Sequence, residues 1–253
     1  MSDAVDTWEK LRRLTRARIG LGRAGDGLPT KALLEFQMAH AAARDAVHGA
    51  ADFEALAAAL APREVVRLAS AAPDRPTYLR RPDLGRRLAD GEAEKLPAGP
   101  VDVVFVIADG LSAAAVNENA VATLEATARR LEGLVIGPVV LARQARVALG
   151  DVVGAGLNAS VVAVLIGERP GLTAADSLGV YLTFRPMPGR KDSERNCLSN
   201  IHAHGMSPDE AGHKLAWLIR EALRLKLTGV ELKEAAPRFA IDTRKSVESS
   251  ANC

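Results

Sequence analysis

Two kinds of apolar pattern divide the chain. In its first third, apolar residues recur at helical spacing: Ala32, Phe36, Ala39, Ala43 and Val47 follow Thr30, which is placed to cap a helix. A second helix is expected from Phe53 to Ala69, interrupted in register by Pro62. The whole span from Thr7 to about Arg87 reads as helical. Between these helices and the N-terminus, Gly20 to Pro29 holds four glycines and one proline, a loop with several positions free to take positive φ. The stretch GEAEKLPAGP (91–100) is polar and rich in Pro and Gly, and marks a boundary.

Beyond that boundary the pattern changes. Val101 to Ala108 is an unbroken β-branched run that stops at Asp109-Gly110-Leu111-Ser112. An Ala-rich helix from Ser112 to Leu131 follows, then a strand from Leu134 to Ala142. A short helix from Gly150 to Leu157 and a strand from Val161 to Ile166 come next, with a further extended stretch soon after. Strands that are apolar without alternation are buried on both faces. Strands separated by helices imply right-handed crossovers and a parallel sheet. The expected fold is therefore α/β: a Rossmann-like, doubly wound parallel sheet with a helical N-terminal region. The last helix starts at Ser207-Pro208-Asp209-Glu210, an N-cap, a first-turn proline and a capping-box glutamate. Ala211, Leu215, Leu218, Ala222 and Leu225 form its buried stripe, and Gly229 is its expected stop. The domain organisation expected is a helical region over 1–97, an α/β domain over 98–235 and a flexible tail over 236–253.

Composition narrows the class without naming a function. The 253 residues are 48% hydrophobic and 25% charged, as in an ordinary globular protein. Aromatics make up only 4%, so the core must be aliphatic, which favours α/β layers over a β-sandwich. A net charge of +2, with no basic block interleaved with aromatics, argues against nucleic acid as a partner. No apolar run reaches the ~18 residues of a membrane span, and the start lacks the apolar core of a signal peptide. Two cysteines, Cys197 and Cys253, cannot make a disulfide framework, so a cytoplasmic location is expected.

Candidate chemistry is sparse. Ligands of open α/β sheets bind at the carboxyl ends of strands. There the sequence places DGLS (109–112) and GERPG (167–171). Asp109 and Gly110 read equally as a turn, and Glu168 equally as a salt-bridge partner of Arg169. Gly110 is a place where a ligand could approach the backbone. No phosphate-binding glycine fingerprint follows either strand. Cys197, His202 and His204 lack a fourth ligand for zinc, and nothing places a base beside the thiol.

Several strings together resemble one family. They are TRARIGLGRAGDGLPTKALLEFQMAHAAARDAV (15–47), YLRRPDLGRRL (78–88), VIADGLSA (106–113), LIGERPGL (165–172) and RNCLSNI (195–201). In this order they resemble the small (light) subunit of ethanolamine ammonia-lyase. The resemblance implies a radical lyase that converts ethanolamine to acetaldehyde and ammonia with adenosylcobalamin. It implies a large-subunit partner whose TIM barrel holds the substrate, and a chain that is inactive alone. Carried over residue by residue, it implies cobalamin contacts at Val147 of RVALGD (146–151), Glu168 of GERPG and Cys197 of RNCLSNI, with no catalytic residue and no metal ligand. The Asp-x-His-x-x-Gly motif of base-off cobalamin proteins is absent, so the cofactor is expected base-on. Some relatives carry an N-terminal targeting segment for a protein-shelled bacterial microcompartment, and barely a dozen residues precede the family core here. Encapsulation through this subunit is therefore not expected. The rival readings are a free-standing nucleotide-binding α/β enzyme and a structural partner that touches no ligand.

Overall fold

A computed structural model describes residues 7–15, 17–97 and 99–236. The expected tail over 236–253 lies, apart from its first residue, outside the described residues. Among the described residues, seven α-helices and six strands run in the order α1 (Thr7–Leu14), α2 (Thr30–His48), α3 (Phe53–Ala59), β1 (Val65–Ala69), α4 (Arg75–Arg80), β2 (Val101–Ala108), α5 (Ala113–Ala128), β3 (Val139–Arg143), α6 (Leu149–Gly156), β4 (Ala159–Gly167), β5 (Leu178–Phe184), β6 (Arg195–Ile201) and α7 (Pro208–Leu225). The strands form one sheet in the order β1-β3-β2-β4-β5-β6.

The class is α/β, but the sheet is mixed rather than parallel. β1, β3, β2 and β4 are mutually parallel, whereas β5 pairs antiparallel with β4, and β6 antiparallel with β5. A parallel neighbour needs a crossover of a dozen or more residues, usually through a helix. Residues 168–177 contain Pro170 and Gly171 and no helix, so the chain turns straight back. Two backbone bonds close that turn, Gly171 N–H to Ala174 O at 2.8 Å and Glu168 N–H to Ser177 O at 2.9 Å.

A second departure lies in the N-terminal region. The helix expected to reach Ala69 stops at Ala59, and Val65–Ala69 is the edge strand β1. Pro62 does not merely shift the helix register. It ends the helix, and the Val65-Val66 pair that follows suits a strand. The helix α2 forms as expected, with Pro29 rather than Thr30 at its N-cap. Its stripe is only half covered, and Leu33, Leu34, Phe36 and Met38 stay exposed. At the far end, α7 keeps its Ser207 cap, which accepts from Glu210 N–H at 3.2 Å, but Leu225 is exposed. The left-handed stop falls on Lys226, while Gly229 serves a close approach to Ser193 and Glu194.

Two cores explain the unbroken strand hydrophobicity. Val103, Phe105 and Ile107 of β2 face α3, α5 and α7 with Phe53, Leu124 and Leu215. The alternate residues Val104 and Val106 face Leu149 and Val153 of α6. On β5 and β6, Val180, Leu182 and Leu198 join the α5–α7 core, so Gly179, Tyr181 and Cys197 turn to the opposite face.

A fully buried ion pair joins α6 to this antiparallel edge. Arg195 of β6 donates twice to Asp151 of α6, at 2.7 Å each, and both side chains are about 1% exposed. The guanidinium also donates to Thr183 Oγ1 at 2.8 Å and Arg190 O at 3.1 Å. Removing one member of such a pair strands a charge and costs about 3–5 kcal/mol. Asp151→Ala is therefore expected to lower the unfolding free energy by about that amount in urea denaturation. A loss below about 1 kcal/mol, the range of an exposed pair, would show that the pair does not hold α6 to the sheet edge.

Candidate functional site

The loops at the carboxyl ends of β2 and β4 are interlocked. Asp109 is buried and accepts from the backbone N–H groups of Gln144 at 2.9 Å and Ala145 at 3.1 Å. Burial pushes its carboxyl up from the usual range against those amides and Arg75. Gly110 has φ +57°, and a Cβ there would lie 2.3 Å from Gly167 O. Gly167 in turn leaves no room, since its Cβ would meet Ser112 O. Leu111 N–H donates to Gly167 O at 2.8 Å. Gly110 is thus a packing glycine, and it also lines the adjoining cleft. Ser112 caps α5 by accepting from Ala115 N–H, as expected, and its hydroxyl donates to Ala175 O at 2.6 Å.

Beside this interlock the sheet opens. Val147 stands in the turn between β3 and α6, and Glu168 follows β4. Both line a cleft of about 240 Å³ together with Tyr78, Arg146, Arg169 and Tyr181. Cys197 is the cross-strand partner of Tyr181 and is exposed. The three candidate residues therefore gather around one tyrosine. Glu168 does not pair with Arg169. It accepts from Ser177 Oγ at 2.5 Å and from Asn200 N–H at 3.3 Å. Its side chain lies over Gly179, where an added Cβ would come within 3.0 Å of Glu168 Oε1. A glycine inside a strand often marks such a close approach.

Electrostatics tie the cluster together. Packing against the strands pushes the Cys197 thiol up, a hydrogen bond with Tyr181 opposes this, and the Glu168 charge adds to it. The thiol is therefore kept protonated, the opposite of an activated nucleophile. His202 offers no base to it. The ring is buried, its Nε2 lies 2.8 Å from Asn200 Oδ1, and its Nδ1 accepts from His204 N–H at 3.3 Å. Among the described residues no three of His, Cys, Asp and Glu converge as metal ligands.

Four neighbours escaped the sequence reading: Tyr78, Arg146, Gly179 and Tyr181. Tyr78 is fully buried, donates to Ala145 O at 3.0 Å, and carries the Arg146 guanidinium 4.3 Å above its ring. Gly85 admits this stack, because a Cβ there would press on both Tyr78 and Arg146. A larger hollow of about 540 Å³ lies between Trp8, Gly20–Gly22 and α2, and contains none of these residues. Val147 is the apolar wall of the cleft, Glu168 is a fixed carboxylate over Gly179, and Arg146 carries a buried guanidinium nitrogen, Nε, without a partner.

Residues 5–233 match the family model described as ethanolamine ammonia-lyase light chain. The chain is 55% identical over 249 residues to the ethanolamine ammonia-lyase small subunit of Xanthomonas campestris pv. campestris (strain B100), covering 94% of this chain and 91% of that protein. It is 53% identical to the protein of the same name in Bradyrhizobium diazoefficiens, over 88% of this chain and 89% of that one. The small subunit of Pseudomonas syringae pv. tomato is 48% identical, over 97% and 89%.

The chain has two tyrosines, and both are perturbed in the same direction. Burial first, then the neighbouring Cys197 and Glu168, push Tyr181 up to about 12, and burial likewise raises Tyr78. An unfolded phenol ionises near 10. The folded state thus binds protons that the unfolded state loses, so stability falls as pH rises from about 10 towards 12. Absorbance at 295 nm is expected to stay flat through pH 10 while the native circular dichroism persists. A phenolate step near 10 in the folded protein would contradict the packing of Tyr181.

Proposed function

The chain belongs to the ethanolamine ammonia-lyase light-chain family, and we propose that within that lyase it forms one side of the adenosylcobalamin site. The enzyme converts ethanolamine to acetaldehyde and ammonia and works with a large subunit. We assign the substrate site to the TIM barrel of that subunit. The observation that carries this reading is the gathering of Val147, Glu168 and Cys197 around Tyr181 on an open sheet face.

Bound adenosylcobalamin supplies the radical that takes hydrogen from the substrate, and the protein's task is orientation and shielding. Glu168 is held by Ser177 and Asn200 on one oxygen, which leaves the other to accept an amide N–H of the corrin edge. Gly179 gives the Glu168 side chain room to lie on the sheet, and Val147 and the neutral Cys197 thiol form the apolar wall that shields the bound cofactor. His202 is committed to Asn200 and His204, which supports cobalamin keeping its own benzimidazole as lower ligand. The apolar residues that α2 leaves exposed, Leu34 and Met38 foremost, suit a surface that the large subunit covers. A free-standing nucleotide enzyme is disfavoured because Gly110 and Gly167 are taken up in packing the ends of β2 and β4 together and form no phosphate-binding glycine loop.

Coexpression with the large subunit is expected to give ammonia release that requires both ethanolamine and adenosylcobalamin, with neither chain active alone. A hydrogen bond to a charged group contributes about 1.5–3 kcal/mol. Glu168→Ala should then weaken adenosylcobalamin binding to the complex by about tenfold or more, measured by absorbance titration. Unchanged affinity in that variant would remove Glu168 from the site.

A further inference from the structure

The cleft around Val147 is unbalanced in charge. Arg146 lines it and also lines a second hollow of about 370 Å³ on the other side of Val147. Arg169 stands in the first hollow, and Arg86 and Lys191 in the second. Among the described residues none of these four side chains forms a salt bridge, although most other arginines of the chain do. The acids nearby are already engaged. Glu168 takes bonds from Ser177 and Asn200, and Asp192 reaches towards buried Arg195.

Arg146 is also unlike a solvated surface arginine. Its guanidinium lies against the Tyr78 ring, its Nη2 reaches Tyr78 O at 3.4 Å, and its backbone N–H donates to Gly85 O at 2.8 Å. Its Nε is buried without a partner. A buried donor left unmade is costly, and the guanidinium that carries it lines both hollows, where it can be offered an acceptor. The rigid planar fork, already stacked, suits a phosphate oxygen pair, with Arg169 beside it in the first hollow and Arg86 and Lys191 in the second.

We propose that Arg146, with Arg86, Arg169 and Lys191 around it, is an anion subsite that holds the phosphodiester of cobalamin's nucleotide loop. The inference rests on the cobalamin reading above and extends it. The corrin side chains of cobalamin are neutral amides, and the phosphodiester that links the lower-base ribose to the ring is its one anionic group. Arg146 is adjacent to Val147, so with cobalamin bound against that wall it would be the residue placed to hold the nucleotide loop. The subsite makes this chain responsible for the tail of the cofactor as well as its face.

The test compares cyanocobalamin with cobinamide, which lacks the nucleotide loop and its phosphodiester, as ligands of the complex reassembled with the large subunit. Binding is read by absorbance titration, independently of turnover. Arg146→Gln is expected to weaken cyanocobalamin by on the order of tenfold or more and to leave cobinamide within about twofold, while Arg146→Lys retains part of the difference. If loss of the Tyr78 stack unfolds Arg146→Gln, the exposed variant Arg86→Ala/Arg169→Ala carries the same comparison, with a smaller selective loss expected. Equal losses for both corrinoids, or loss of subunit assembly by gel filtration with no corrinoid selectivity, would overturn the subsite and make the groove a protein contact. A wild-type complex that binds cobinamide but shows no effect of any variant would overturn the subsite alone. One that binds neither ligand would overturn the cobalamin reading with it.

Discussion

The buried pair between Asp151 and Arg195 is the constraint on which the site depends. Val147 and Arg146 belong to the turn that enters α6, whereas Tyr181 and Cys197 belong to the antiparallel edge. These two parts come from different layers, and α6 packs mainly on β4. Two charges without solvent are tolerated only when nearly every donor is matched, and here Asp151, Thr183 and Arg190 O satisfy the guanidinium. Because the fork is bidentate, it fixes an angle as well as a distance. It also anchors the segment from Arg190 to Asp192 that walls the second hollow. The position of the apolar wall relative to the antiparallel edge is therefore set by this polar contact together with the packing of Leu149 and Val153 on the sheet.

Much of the parallel half was legible because its signals are local. β2, α5, α6, β4 and α7 announced themselves through unbroken apolar runs, an Ala-rich helix and the Ser207-Pro208 start. β1 was not legible, since Val65 to Ala69 is only five residues and follows an apolar helix without a glycine between them. Its strand character comes from pairing with β3, a partner more than seventy residues away. The antiparallel turn after Glu168 was readable in principle from the short, helix-free linker containing Pro170 and Gly171. An expectation of continued crossovers overrode that length argument.

The site was legible in a different way. Val147, Glu168 and Cys197 entered through resemblance, and no spacing rule would have gathered them, because their meeting depends on the reversal of β5. Gly179 and Tyr181 carried a weak local signal: a glycine inside a strand, and one of two tyrosines in an aromatic-poor chain. Arg146 carried none. One arginine among many in the sequence becomes distinctive only when its neighbours are known to leave it without an acid.

The interlock at Gly110 and Gly167 shapes the cleft at the carboxyl ends of the sheet. In open sheets of this kind the crevice forms where successive connections leave to opposite faces. Here α5 leaves β2 towards one core and α6 follows β3 on the other, which puts the crevice between β2 and β3. Between β2 and β4 backbone atoms close the gap, and a side chain at Gly110 or Gly167 would collide with them. The cleft lies over these strand ends, lined by Gly110, Val147 and Gly167, and reaches Tyr181 of the antiparallel edge. A nucleotide needs an enclosed phosphate loop, whereas a corrin needs a wide plane with acceptors at its rim and room for a second protein above. The closed gap between β2 and β4 and the two reversed strands beside the cleft suit the second kind of site, the one proposed for this chain.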